Sequence, residues 1–80
     1  MKNINLVVVD RICKYLREQN LTQYKLSVLS GVPYSTIKSI MQKRTKNIDL
    51  KTIILFARGF NITPSEFLNS EEFWADNLDI

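Results

Sequence analysis

Residues 21–40 read LTQYKLSVLSGVPYSTIKSI, and the reading of this stretch decides the fold. Thr22 stands where a helix needs an N-cap, with a hydroxyl that accepts from an unpaired N–H of the first turn. Leu21 just before it and Leu26 four residues after it form a hydrophobic staple over that start. Leu26 and Leu29 supply the expected inward face, and Gly31 ends the helix, since a residue without Cβ takes positive φ at little cost. A second helix is expected from Pro33 or Tyr34 to Gln42 or Lys43. Ile37, Ile40 and Met41 fall at i, i+3, i+4 and point inward, while Ser35, Lys38, Ser39 and Gln42 fall on the opposite side. That outer face is polar, partly basic and free of acids.

The same logic extends in both directions. Upstream, Leu6, Val9, Cys13 and Leu16 follow a 3-4-3 spacing joined by Ile12, which predicts a helix over residues 6–19, with Asn20 as a left-handed stop. Downstream, Asp49 is the cap of a fourth helix, stapled by Ile48 and Ile53, with Ile54, Ala57 and Phe60 extending its apolar face. The sequence Thr63-Pro64-Ser65-Glu66 is a capping box with proline at the first helical position, and Ile62 and Phe67 form its staple. Three staples in so short a chain predict an all-α fold. Beyond Ser70 the chain is expected either to form a short acidic helix or to fray.

Composition bounds what such a fold can do. Eighty residues make one domain, and 45% hydrophobic with 24% charged residues is ordinary for a globular protein. Cys13 is the only cysteine, so no intramolecular disulfide forms; it reads as a small core residue. With no histidine, a Ser-His or Cys-His nucleophile pair and imidazole metal ligands are absent. No spacing places an acid/base pair, a metal cluster or a phosphate-binding glycine loop in a cleft, so an enzyme, a metal and a cofactor are all unexpected. No secretory signal or membrane span is read, and the expected compartment is a reducing cytoplasm. The net charge is +3, but its distribution says more. Residues 22–46 carry Lys25, Lys38, Lys43, Arg44 and Lys46 with no acid, whereas Glu66, Glu71, Glu72, Asp76 and Asp79 close the chain with no base. The middle is built to meet an anion.

The stretch 21–40 resembles the helix-turn-helix of the phage-repressor and Cro-like (Xre-type) regulators. Thr22-Gln23 opens the first helix of that motif, Ser27 is its small middle residue, Gly31 starts the turn, and Ser35-Thr36-Ile37 opens the recognition helix. Residues 9–20, 48–62 and 64–68 resemble the family's remaining helices, so the likeness covers roughly four-fifths of the chain. The resemblance implies a compact five-helix domain over residues 1–70, followed by an acidic aromatic tail over residues 71–80. It implies a cytoplasmic repressor of transcription that binds duplex DNA as a homodimer on an inverted repeat, with residues 34–43 as the recognition helix in the major groove.

Carried over by position, Tyr34, Ser35 and Ser39 match base-reading places. Gln23, Gln42, Lys43 and Arg44 match phosphate contacts, with Lys38 and Lys46 as backbone neighbours. Two departures matter: Pro33 stands where a Ser or Thr cap is commoner, and Lys43 stands where the family often has Gly. The residues leave alternatives open beside this. Tyr34 has a second reading as a ring packed over the turn near Val32, secondary to base reading. Phe73 and Trp74 read as packing on the core, as a dimer contact, or as the binding surface of an antitoxin-like or adaptor module on the same fold.

Overall fold

The computed structural model describes residues 3–79 and folds them into five α-helices: α1 (Ile4–Gln19), α2 (Gln23–Ser30), α3 (Tyr34–Met41), α4 (Leu50–Gly59) and α5 (Pro64–Phe67). Four of the five start on a side chain that accepts a first-turn N–H: Asn3, Thr22, Asp49 and Thr63. Asn3 moves the start of α1 to Ile4, two residues ahead of the spacing-based expectation at residue 6. Thr22, Asp49 and Thr63 each accept from the N–H three residues on, as their sequence positions predict.

Helix ends are equally defined. Asn20, Lys43 and Asn61 all take positive φ, at 54°, 63° and 58°. Each is followed by a residue whose N–H reaches five positions back: Leu21 to Leu16, Arg44 to Ser39, and Ile62 to Ala57. These are Schellman closures, in which the left-handed residue turns the chain back over its own last carbonyls.

The core gathers Ile12 and Tyr15 from α1, Leu26 from α2, Ile37 and Ile40 from α3, Ile53, Phe56 and Ala57 from α4, with Phe60 and Phe67. Tyr15, Phe60 and Phe67 lie ring to ring at centroid separations of 5.3 to 6.4 Å. Removing one such ring from water is worth about 1.5–3 kcal/mol. Arg11 is buried beside them without leaving its charge unserved. Its guanidinium donates to the carbonyls of Phe67 and Glu66, both at 2.7 Å, and to the Tyr15 hydroxyl at 3.3 Å. It thereby ties α1 to the C-terminal end of α5 through main-chain carbonyls.

Three sequence expectations are corrected. Leu29 is 41% exposed, because the α2 face turned to α4 runs from Leu26 to Ser30, both fully buried. The reason lies opposite, at Gly59, where a Cβ would stand only 2.8 Å from Ser30 Cβ. Backbones this close leave room for a serine, not a second leucine. Ile54 is 44% exposed, since the buried positions of α4 are Ile53, Phe56, Ala57 and, at its cap, Phe60; one residue beyond Ile53 the chain has turned away. The stripe of α1 is also wider than expected, with Val7, Val8, Arg11 and Tyr15 buried. That helix packs against α3 on one side and against a 3-10 turn, Glu71–Phe73, on the other.

Residues after Ser70 form two 3-10 turns, Glu71–Phe73 and Ala75–Asn77, rather than one acidic helix. Ser70 accepts from Glu72 N–H, and Asn77 donates to the Glu71 carbonyl. Phe73 packs against the core and Leu78 is buried, while Trp74 is 61% exposed. Cys13 is a free thiol, half-buried against the core. Among the described residues no helix is long and apolar enough to cross a membrane.

Two outcomes follow from this packing. Gly59→Ala should destabilise the domain by about 1–3 kcal/mol through overpacking, read as a fall in thermal midpoint of about 4–8 °C per kcal/mol. Asp49 offers a pH handle: hydrogen bonds from Thr52 hold its carboxyl below the usual carboxylate range. A folded-state pKa below the unfolded one stabilises above the ordinary carboxylate range and is lost as pH falls through the lowered value. Melting curves from neutral to acid pH should therefore show an acid-side loss of stability that is smaller in Asp49→Asn, which keeps an acceptor without titrating.

Candidate nucleic-acid interface

The turn of residues 31–33 joins α2 to α3 and sets how α3 is held. Gly31 takes φ 81°, and Val32 behind it is buried at 3% exposure. Val32 N–H donates to Ser30 Oγ, and the Arg58 guanidinium donates to the Ser30 carbonyl at 3.0 Å. The turn is thus fastened from α4 as well as from its own helix. Pro33 provides no side-chain cap for α3. Its carbonyl instead accepts from Thr36 and Ile37 N–H, and its φ of −56° already suits a helix start.

With Ile37 and Ile40 buried and Met41 half-buried against the core, α3 shows solvent its other side. Tyr34, Ser35, Lys38 and Gln42 are exposed there, and Ser39 is half-buried. Tyr34 and Lys38 are brought together, the ammonium lying 5.6 Å from the ring centroid. The Tyr34 ring also meets the Tyr24 ring of α2, at 5.7 Å and 76°. Tyr34 is therefore 42% exposed and in ring contact at once. Its ring partner is Tyr24.

Lys43, Arg44 and Lys46 form a second group, rimming one open cleft of about 590 Å³ with Asn3 and Asn5 of the α1 start across from them. All three cations are exposed. Gln23 is half-buried in the first turn of α2, and Gln42, exposed at the C-cap of α3, stands between the outer face of that helix and Lys43 in the chain. The amide of Asn5 donates to the carbonyls of both Thr45 and Lys46, pinning the basic loop to α1. Sequence reasoning missed Asn5 and Tyr24. Asn5 pairs with carbonyls about forty positions away, and no local signal announces such a partner. Tyr24 did lie inside the motif, where a second exposed ring one helix away from Tyr34 was a signal to weigh.

The Lys43 corner resolves the departure noted in the sequence. Lys43 N–H donates to the Ile40 carbonyl and Arg44 N–H to Ser39, completing the closure of α3 without glycine. The other two non-glycine closures use Asn20 and Asn61, a residue type that tolerates the left-handed region. Lysine does not, so the corner keeps a charged side chain at a conformational cost. Among the described residues no group of three or more His, Cys, Asp or Glu is placed to hold a metal.

A family model described as Helix-turn-helix matches residues 10–67, from the second turn of α1 to the end of α5. The match spans well over half of the chain, which belongs to the Cro/C1-type, Xre-like helix-turn-helix family, a family of DNA-binding regulatory domains. No curated protein and no solved structure gives a significant match to it.

The strain at Lys43 separates charge from conformation. Lys43→Gly should be more stable than Lys43→Ala by about 1 kcal/mol and melt at a higher temperature, because of these two only glycine relieves the left-handed backbone. Both lose the same cation, so equal melting temperatures would show that the corner stores no strain.

Proposed function

We propose that this chain is a sequence-specific transcriptional repressor, working in the cytoplasm as a homodimer on an inverted repeat. In this reading α3 enters the major groove, where each base pair presents its own pattern of donors, acceptors and methyl groups. The observation that carries it is the outer face of α3, exposed and free of acids, continuing into a loop whose three cations rim one surface. Docking is electrostatic. Lys43, Arg44 and Lys46, with Lys38 beside them, neutralise backbone phosphates and displace their counterions. Gln23 and Gln42 add hydrogen bonds to phosphate oxygens, and the first-turn N–H groups of α2 favour the same anion. Tyr34, Ser35 and Ser39 then read base edges: the hydroxyls as donor or acceptor, the tyrosine ring against a thymine methyl.

A second reading uses the same fold to capture a protein partner, as an antitoxin-like or adaptor module. The exposed Trp74 between two acidic 3-10 turns favours it, because a ring that large stays in water at some cost unless it is covered. Phe73 and Leu78 are packed inward, so deleting the tail would disturb the core; Trp74→Ala is the cleaner probe. Partner binding or self-association through the tail should fall in that variant while binding to duplex DNA persists.

The deciding experiment is selection from a random duplex pool at near-physiological salt, then affinity measurements on the enriched duplex across salt concentrations. An enriched inverted repeat is expected; enrichment of a single half-site would replace the dimer by a monomer, and no enrichment would end the sequence-specific reading. On the enriched duplex, Lys43→Ala should weaken all sequences alike and lower the salt slope by about one unit. Ser39→Ala or Tyr34→Ala should change preference among sequences more than overall affinity. Should Lys43→Ala and Arg44→Ala combined leave binding intact, the docking model fails.

A further inference from the structure

Tyr24 sits in the first turn of α2 and Tyr34 in the first turn of α3, so the turn of residues 31–33 sets two helix starts side by side. Their rings meet near perpendicular, with centroids 5.7 Å apart and planes at 76°. Lys38, one turn further along α3, adds its ammonium 5.6 Å from the Tyr34 centroid. Tyr24 is 64% exposed and Tyr34 42% exposed, so the contact is made at the surface and not in the core. An isolated exposed ring exchanges rotamers on fast timescales and presents no single edge to a ligand. Tyr34 is instead steadied by a ring and a cation, both rooted on helices that the core holds fixed.

We infer that Tyr24 is a positioning residue for base reading: it holds the Tyr34 ring in one orientation and so determines which base pair Tyr34 discriminates. The inference rests on the reading above, in which Tyr34 faces base edges. An edge-to-face pair biases a rotamer population by roughly two- to tenfold, and discrimination by Tyr34 is averaged down by the same factor when the pair is lost. The ring is what Tyr24 contributes, not its hydroxyl, so phenylalanine in its place is sufficient. Tyr24 needs no contact with DNA to do this.

The test uses the full chain as wild type, Tyr24→Ala, Tyr24→Phe, Tyr34→Ala and the double alanine variant. The probes are the duplex enriched by the wild type and a set carrying single base-pair changes in it. Tyr24→Ala should lower discrimination by about two- to tenfold at the same base pair that Tyr34→Ala affects, with an unchanged salt slope. The double variant should be no worse than Tyr34→Ala, and Tyr24→Phe should behave as wild type. Circular dichroism checks folding, and Tyr24→Leu, which keeps bulk without a ring, takes the place of the alanine variant if that one unfolds. A uniform loss of affinity with a lower salt slope, or additive losses in the double variant, would make Tyr24 a direct backbone contact and overturn the inference. A wild-type preference left untouched by Tyr24→Ala and Tyr24→Leu overturns this inference alone, whereas a wild type without any preference overturns the functional reading and the inference together.

Discussion

Helices α2 and α4 meet where a glycine faces a serine. Gly59 lies against Ser30 so closely that a single added carbon would stand 2.8 Å from Ser30 Cβ, and Leu26 closes over the same point. From that contact Arg58, next in chain to Gly59, reaches the Ser30 carbonyl and braces the turn that begins at Gly31. The orientation of α3 therefore depends on how nearly two backbones touch some distance from its exposed face. Protein interiors pack too densely to absorb an added methyl group without movement elsewhere. Movement here would pass through the turn to the helix that carries Tyr34, Ser35 and Ser39.

A second constraint begins at the residue after Gly59. The ring stack of Tyr15, Phe60 and Phe67 joins α1, the end of α4 and α5, and Arg11 lies over the Tyr15 ring with hydrogen bonds to two main-chain carbonyls and the Tyr15 hydroxyl. A buried guanidinium without such acceptors would be costly; with them it fastens a four-residue helix that has little stability of its own. The acidic end of the chain then lies over α1 through its first 3-10 turn, inserting Phe73 and leaving Trp74 outside. The family match ends at residue 67, before these turns begin.

Where short-range chemistry sets the structure, the sequence was legible. Thr22, Asp49 and Thr63 cap as their positions demand, Asn20 and Gly31 stop their helices in the left-handed region, and Ile37 with Ile40 faces the core. What escaped was set by partners distant in sequence. Leu29 and Ile54 have apolar side chains at plausible spacings, yet which flank of a helix faces inward depends on where its neighbour crosses, and no local pattern states that. Arg11 would be taken for a surface charge until the end of α5 is laid beside it. The candidate interface divides the same way: the acid-free outer face of α3 follows from helical spacing, whereas the Asn5 amide on the basic loop and the ring pair of Tyr24 with Tyr34 exist only once the helices are assembled.

The left-handed lysine that closes α3 has a consequence for how this domain can be altered. At most positions a change that improves stability leaves the working surface alone, and the two properties can be tuned apart. At residue 43 they are joined in one side chain: the left-handed backbone favours glycine or asparagine, neither of which is charged, and the proposed anion contact requires a cation. Any route to a more robust fold that passes through this corner gives up a cation, and any gain of affinity there is set against the closure of the helix. A domain of eighty residues has few other places from which to recover what such a position withholds.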